Sequence, residues 1–253
     1  MKIAVSGKGG VGKTTISAYI VKKFAAEGYQ VYAVDADPDL SLGTVLGIEN
    51  QDIQNLKPIV DMRDVIAEKS GGGGAYYSLN PDVDDVLNEY AIRIGNIKFF
   101  KMGAVKQGGS SCYCRENSFL NSLMNALLLN NKDVVVLDMG AGIEHLTRGT
   151  SKGVDAIIVV TEPTLVSVQT AQVVTKLAHE LEIKNVKYIG NKIRRVEEQE
   201  FLKKHLIPED ILGFISYNES MLDEALGLAP KEDAGVFEQD MNFVFKNLVS
   251  QIN

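Results

Sequence analysis

The chain has 253 residues, 45% of them hydrophobic and 23% charged, which suits one large α/β domain over 1–253 or, less readily, two small ones. Its net charge of -7 argues against a broad surface for nucleic acid or anionic membrane, so neither partner is expected. No apolar run approaches the roughly 18 residues of a bilayer span. Two cysteines cannot staple a fold of this size, and the opening MKIAVSGKGG has no charged-then-apolar leader, so a cytoplasmic location is expected.

Along the chain, short Val/Ile/Leu runs predict strands at 3–5, 30–35, 97–101, 134–138, 156–161, 186–191 and 211–215. Near-continuous apolar strands of this kind are buried on both faces of a parallel sheet. Helical patterns fall between them at 13–27, 118–130, 165–181, 196–205 and 236–252. The alternation predicts an α/β fold, a doubly wound and mostly parallel sheet flanked by helices. One region breaks the rhythm: residues 51–96 include KSGGGGAYYSLNPDVDD, with glycines at 71–74, and read as an irregular insertion near 50–96 within the domain. Asp82, Asp84 and Asp85 read as the solvated start of a helix, with a metal site as the alternative. The run EEQE at 197–200, followed by Lys203 and Lys204, predicts a solvent-facing helix laced with charge pairs.

The first strand ends in GKGGVGKTT, Gly7 to Thr15, which matches G-x-x-x-x-G-K-[ST] between a predicted strand and a predicted helix. Glycines let the backbone curl until the N–H groups of Gly9, Gly10, Val11 and Gly12 point inward at phosphate oxygens. Lys13 would neutralise β- and γ-phosphate charge, Thr14 would ligate Mg²⁺ through its hydroxyl, and Thr15 would meet the α-phosphate. The motif predicts a P-loop NTPase.

The form KGGVGK, with a second lysine at Lys8, resembles the deviant Walker A of the MinD/ParA/nitrogenase-iron-protein class of ATPases. The resemblance implies a nucleotide-dependent homodimer in which Lys8 reaches the phosphates held by the other subunit; a merely local charge is the alternative. The second strand ends VYAVDADPDLSLG, similar to that class's switch I. Asp37 then falls where the class orients its attacking water, making Asp37, Lys8 and Lys13 the implied catalytic set. Asp35 would support Asp37 or the Mg²⁺ water shell, and Asp39 has no clear assignment. DVVVLDMGAGIEHLTRG places Asp138 at a strand end like a Walker B carboxylate, with Gly142 in a switch II loop whose amide can sense the γ-phosphate. YIGNKIRR places Asn191 where the class reads the base, with Lys192 next to it as a further nucleotide-binding candidate, and GFISYNESM at 213–221 resembles the segment on the other side of the adenosine. The class favours ATP.

Both cysteines lie in GGSSCYCREN, at Cys112 and Cys114. Thiolates one residue apart in an extended segment point the same way, with Tyr113 turned aside. Two sulfurs leave half of a metal's coordination empty, and a homodimer that juxtaposes two copies supplies the rest. Such an S₄ site can hold Zn²⁺ tetrahedrally or Ni²⁺ in a square plane, and Arg115 favours the thiolate form. The alternatives are a buried small-residue pair, which the preceding Gly108-Gly109-Ser110-Ser111 argues against, and a neighbour disulfide, which a reducing cytosol argues against.

With this pair, DADPDLSLG and AGIEHLTRGT, the chain resembles the CooC family, accessory ATPases of carbon monoxide dehydrogenase. The resemblance implies nickel as cargo and that enzyme as client. Other members of the wider class position DNA or membranes, or donate electrons from an iron–sulfur cluster. The last kind is disfavoured because DMGAGIEH contains no cysteine, and a membrane-binding terminal helix because VFEQDMNFVFKNLVSQIN contains one lysine. That helix is expected to pack its apolar stripe on the domain. His145, His179 and His205 are scattered and read as structural, or for His145 as part of switch II.

Overall fold

The computed structural model describes residues 1–37, 39–59, 90–102, 133–141, 143, 154–220 and 234–252. Its centre is an eight-stranded sheet in the order β3-β4-β2-β5-β1-β6-β7-β8. The strands are β1 (Lys2–Ser6), β2 (Gln30–Ala36), β3 (Ile92–Ile94), β4 (Ile97–Lys101), β5 (Asp133–Met139), β6 (Ala156–Thr161), β7 (Val186–Ile193) and β8 (Ile211–Ser216). All pairings are parallel except β3 with β4. Strands β1, β5 and β6 are buried along their whole length, as their unbroken apolar runs require of a sheet covered on both faces.

Helices α1 (Lys13–Ala26), α2 (Leu42–Leu46), α3 (Asn50–Asn55) and α6 (Ala234–Ile252) share one apolar layer with the sheet, built around Ile3, Val5, Phe24 and Phe99. Helices α4 (Leu165–Glu180) and α5 (Val196–His205) share the other, with Val159, Val168, Tyr188 and Leu202. The stripe of α6 is consumed by this packing, as expected: Met241, Val244, Phe245 and Leu248 are all buried. Each contributes roughly 2 kcal/mol by leaving water. No helix among the described residues is long and apolar enough to cross a membrane.

Helix α5 has the expected solvated charge pattern. Glu200 pairs with Lys203 at 2.9 Å, and Glu198 caps the helix by accepting from the Arg194 and Arg195 amides. His205 is structural, its Nδ1 lying 2.8 Å from the Phe201 carbonyl at the helix end.

Regular elements occupy both ends of the stretch over 50–96 expected to be irregular. Helix α3 has no apolar periodicity, yet its one apolar residue, Ile53, is buried against the α1–α2 layer. Strand β3 forms a hairpin with β4, with Ile94 opposite Ile97 across Gly95 and Asn96, and Gly95 takes φ 55°. A two-residue hairpin turn needs that left-handed backbone to match strand twist. The glycine run, the acidic cluster and the helix expected at 118–130 lie outside the described residues.

Strand β7 also runs two residues beyond its predicted end. It passes through a bulge at Lys192, where φ is 60°, and Ile193 then pairs with Ser216. The polar Asn191–Lys192 step hides the continuation, which is held by the burial of Ile193.

Candidate nucleotide site

Parallel strands bring their carboxyl ends to one edge, and the register aligns the expected site residues there. Val5 stands opposite Asp138, and Asp138 opposite Asp35. The glycine loop leaves β1 at this edge and turns into α1. Gly7 adopts φ 148°, and a Cβ there would stand 2.2 Å from the Val160 carbonyl oxygen. Gly12 adopts φ 94°, and a Cβ would stand 2.5 Å from Asn191 Nδ2. Only glycine fits either position. No side chain caps the first turn of α1, so the N-terminal amides of that helix are presented to the cleft.

Lys13 is almost buried, with Nζ 3.5 Å from the Lys8 carbonyl and 4.0 Å from Asp37 Oδ2. Lys8 itself is exposed at the start of the loop. Thr14 Oγ1 lies 3.4 Å from Ser41 Oγ, at the entry to α2, and Thr15 is half-buried one residue on.

Asp37 faces this ammonium, Asp138 feels its charge, and Asp35 lies beside both carboxylates. Asp37 Oδ1 accepts from the Asp39 amide at 3.1 Å, which gives Asp39 a place as a turn residue. Asp35 is fully buried, and both its oxygens are taken by backbone: Oδ1 accepts from the Asp37 amide at 3.3 Å, and Oδ2 from the Leu42 amide at 2.9 Å. Burial pushes the Asp35 carboxyl up to about 7, against the pull of the Leu42 amide. Burial also raises Asp138, while the Thr14 and Ser17 hydroxyls and the Lys13 charge oppose it. Ser17 Oγ donates to Asp138 Oδ1 at 2.9 Å, whereas the buried Oδ2 has no hydrogen-bond partner among the described residues.

An orphaned carboxylate oxygen beside a threonine hydroxyl, in a cluster short of positive charge, fits a hydrated Mg²⁺. Hard oxygen donors suit that ion, and its charge would favour the ionised forms of Asp35 and Asp138. The donor set therefore accepts the metal that the loop motif implies.

Asn191 and Lys192 hold the loop from its other side. Asn191 Nδ2 donates to the Val11 carbonyl at 2.7 Å, and its Oδ1 accepts from the Lys192 amide at 2.9 Å. Lys192 Nζ donates to the Gly10 carbonyl at 2.7 Å and pairs with Glu162 at 2.6 Å. Both side chains, expected to bind the nucleotide, thus spend polar groups on the loop backbone. Lys192 carries a left-handed backbone to do so, which costs roughly 1 kcal/mol.

Sequence reasoning missed Ser17, Ser41 and Glu162. Ser17 could have been found, since it lies four residues after Lys13 and so shares its helix face. Ser41 and Glu162 follow no periodic pattern. Cys112, Cys114, Gly142 and His145 lie outside the described residues.

The parallel sheet, the glycine loop at its carboxyl edge and the carboxylates facing it define a P-loop nucleotide-binding ATPase of the MinD/ParA class. Residues 2–102 match the model of the CobQ/CobB/MinD/ParA nucleotide binding domain. The fold is similar to MinD of Aquifex aeolicus, with a TM-score of 0.68 over 99% of this chain and 97% of that one at 21% identity. An uncharacterised ATP-binding protein of Methanocaldococcus jannaschii is 38% identical over 97% of this chain and 98% of its own length. The carbon monoxide dehydrogenase accessory protein CooC of Rhodospirillum rubrum is 38% identical over 87% of this chain and 85% of its own. The chain belongs to the CooC family of that class.

Proposed function

We propose that this ATPase is a metal-loading maturation factor. Two copies close on ATP, hold nickel or zinc between them at Cys112 and Cys114, and support delivery of nickel to carbon monoxide dehydrogenase. The observation that carries the reading is the 38% identity to CooC along most of both chains, in a sequence whose only two cysteines form a Cys-x-Cys pair. The reading takes 1–253 as one domain, in the reducing cytoplasm where such thiols stay available.

Within each copy, the amides of Gly9, Gly10, Val11 and Gly12 and the first turn of α1 cradle the phosphates of ATP, and of ADP after hydrolysis. Lys13 balances β- and γ-phosphate charge from a nearly water-free position. Thr14, with Asp138 acting through water, would hold Mg²⁺, whose charge would offset the negative charge that builds on the phosphates. Asp37, anchored by the Asp35 and Asp39 turn contacts, orients the attacking water. The Gly142 amide senses the γ-phosphate, and Thr15 meets the α-phosphate. One N–H and one lone pair of the Asn191 amide remain for adenine after its two backbone bonds.

Lys8 tests the closing step. Its exposed position at the loop's start suits a reach into the partner copy's phosphates. The Lys8→Ala variant is expected to bind ATP within about threefold of the parent, since Lys13 still balances the phosphates of its own copy. Its ATP-induced dimer should be lost at concentrations where light scattering shows the parent doubling in mass. Undiminished dimerisation and hydrolysis in this variant would confine Lys8 to its own subunit.

A further inference from the structure

The loop's peptides are planar and trans, so each carbonyl points opposite to the N–H of the next residue. Whatever holds the Gly10 carbonyl therefore aims the Val11 amide, and whatever holds the Val11 carbonyl aims the Gly12 amide. Asn191 does the second task, from a buried position at the end of β7. Lys192 does the first, at 2.7 Å, while Glu162 fixes its ammonium at 2.6 Å. Glu162 directly follows β6 and stands two residues before Thr164, whose Oγ1 caps α4 by accepting from the Ser167 amide at 3.2 Å. The Glu162 amide donates to Ser167 Oγ at 3.0 Å, so the carboxylate rises from a fixed backbone. One ammonium thus joins the glycine loop, the exit of β6 and the bulge of β7.

Among the described residues, the Val11 amide meets only a long contact to the Lys8 carbonyl, at 3.4 Å. That bond is weak enough to be exchanged for a phosphate oxygen.

We propose that Lys192, held by Glu162, is a positioning residue that pins the Gly10 peptide and so presets the Val11 amide for phosphate. The left-handed backbone at Lys192 directs the ammonium back over the loop. This rests on the reading of the glycine loop as the phosphate site, and it gives Lys192 a role distinct from direct contact with the nucleotide.

The test uses the full chain, with Glu162→Gln, Lys192→Gly and the double variant. Glycine accepts φ 60° without strain, so Lys192→Gly removes the ammonium and leaves the backbone at ease. ATP affinity by calorimetry should fall roughly three- to tenfold in each single variant, the range for losing one hydrogen bond. In turnover assays the larger share of the loss should appear in KM rather than kcat, with Tm in Lys192→Gly no lower than in the parent. Because both substitutions open one latch, the double variant should be no weaker than the weaker single.

Affinity like the parent's in both singles overturns the proposal, as does an additive double variant. Weak binding in Lys192→Gly with normal binding in Glu162→Gln would make Lys192 a direct nucleotide contact, which also overturns it. If Lys192→Gly fails to fold, Glu162→Gln decides alone. Lys13→Ala serves as the control: normal ATP affinity there refutes the loop's assignment itself, whereas its loss beside unaffected latch variants refutes only the latch.

Discussion

Replacing Lys13 with alanine is expected to abolish ATP binding at the concentrations that saturate the parent. The ammonium is nearly buried between the Lys8 carbonyl and Asp37, so it acts in a site with little water to screen it. Charge-assisted hydrogen bonds contribute roughly 1.5–3 kcal/mol each, and contact with two phosphates puts the loss at about 3 kcal/mol or more, at least ~100-fold in Kd. Removing the lysine also leaves Asp37 and Asp138 without the cation that opposes their charge. Alanine is a good helix former at the first position of α1, so the fold should survive with Tm near the parent's. Isothermal calorimetry reads the result directly, and a Kd within threefold of the parent's would remove the loop from the nucleotide site.

The second large effect belongs to Asp37. Asp37→Asn should bind ATP as well as the parent, or slightly better, because Lys13 loses a carboxylate 4.0 Å away and keeps its phosphates. The asparagine oxygen can still accept from the Asp39 amide, so the turn that carries it is preserved. The attacking water, however, loses an anionic partner. A positioned general base is worth roughly 10²- to 10⁴-fold, and kcat is expected to fall within that range. Single-turnover hydrolysis with saturating ATP separates this from any change in affinity. Normal turnover would assign the water to another group.

Much of the sheet was legible because strands covered on both faces must be apolar throughout. Val134–Leu137 and Ala156–Val160 can be read as strands without any structure, and both are buried. The elements missed lack that signature. Strand β3 has only Ile92 and Ile94 around Arg93, and its evidence lay in the Gly95–Asn96 turn. Helix α3 shows a single anchor, Ile53, and β7 hides its last two residues behind a bulge at Lys192.

At the site, the loop glycines and Lys13 are legible from the loop motif, and Asp37 and Asp138 from the family resemblance at the ends of their strands. What did not follow is how polar groups are shared: that Asp35 serves two backbone amides, and that Asn191 and Lys192 grip the loop. Those bonds join residues up to 182 positions apart, and no local pattern encodes such a pairing.

In the proposed function, Cys112 and Cys114 supply half of a metal site that a second copy completes. If metal and ATP both favour the dimer, each raises the other's affinity by the same free energy. Metal content by equilibrium dialysis, read with the assembly state by analytical ultracentrifugation, tests this most directly. The parent should bind one Zn²⁺ or Ni²⁺ per two chains and dimerise on metal even without ATP. Cys112→Ser and Cys114→Ser should lose both responses while still binding ATP. One metal per chain at full affinity in a monomer, or undiminished metal binding after either substitution, would contradict the shared site.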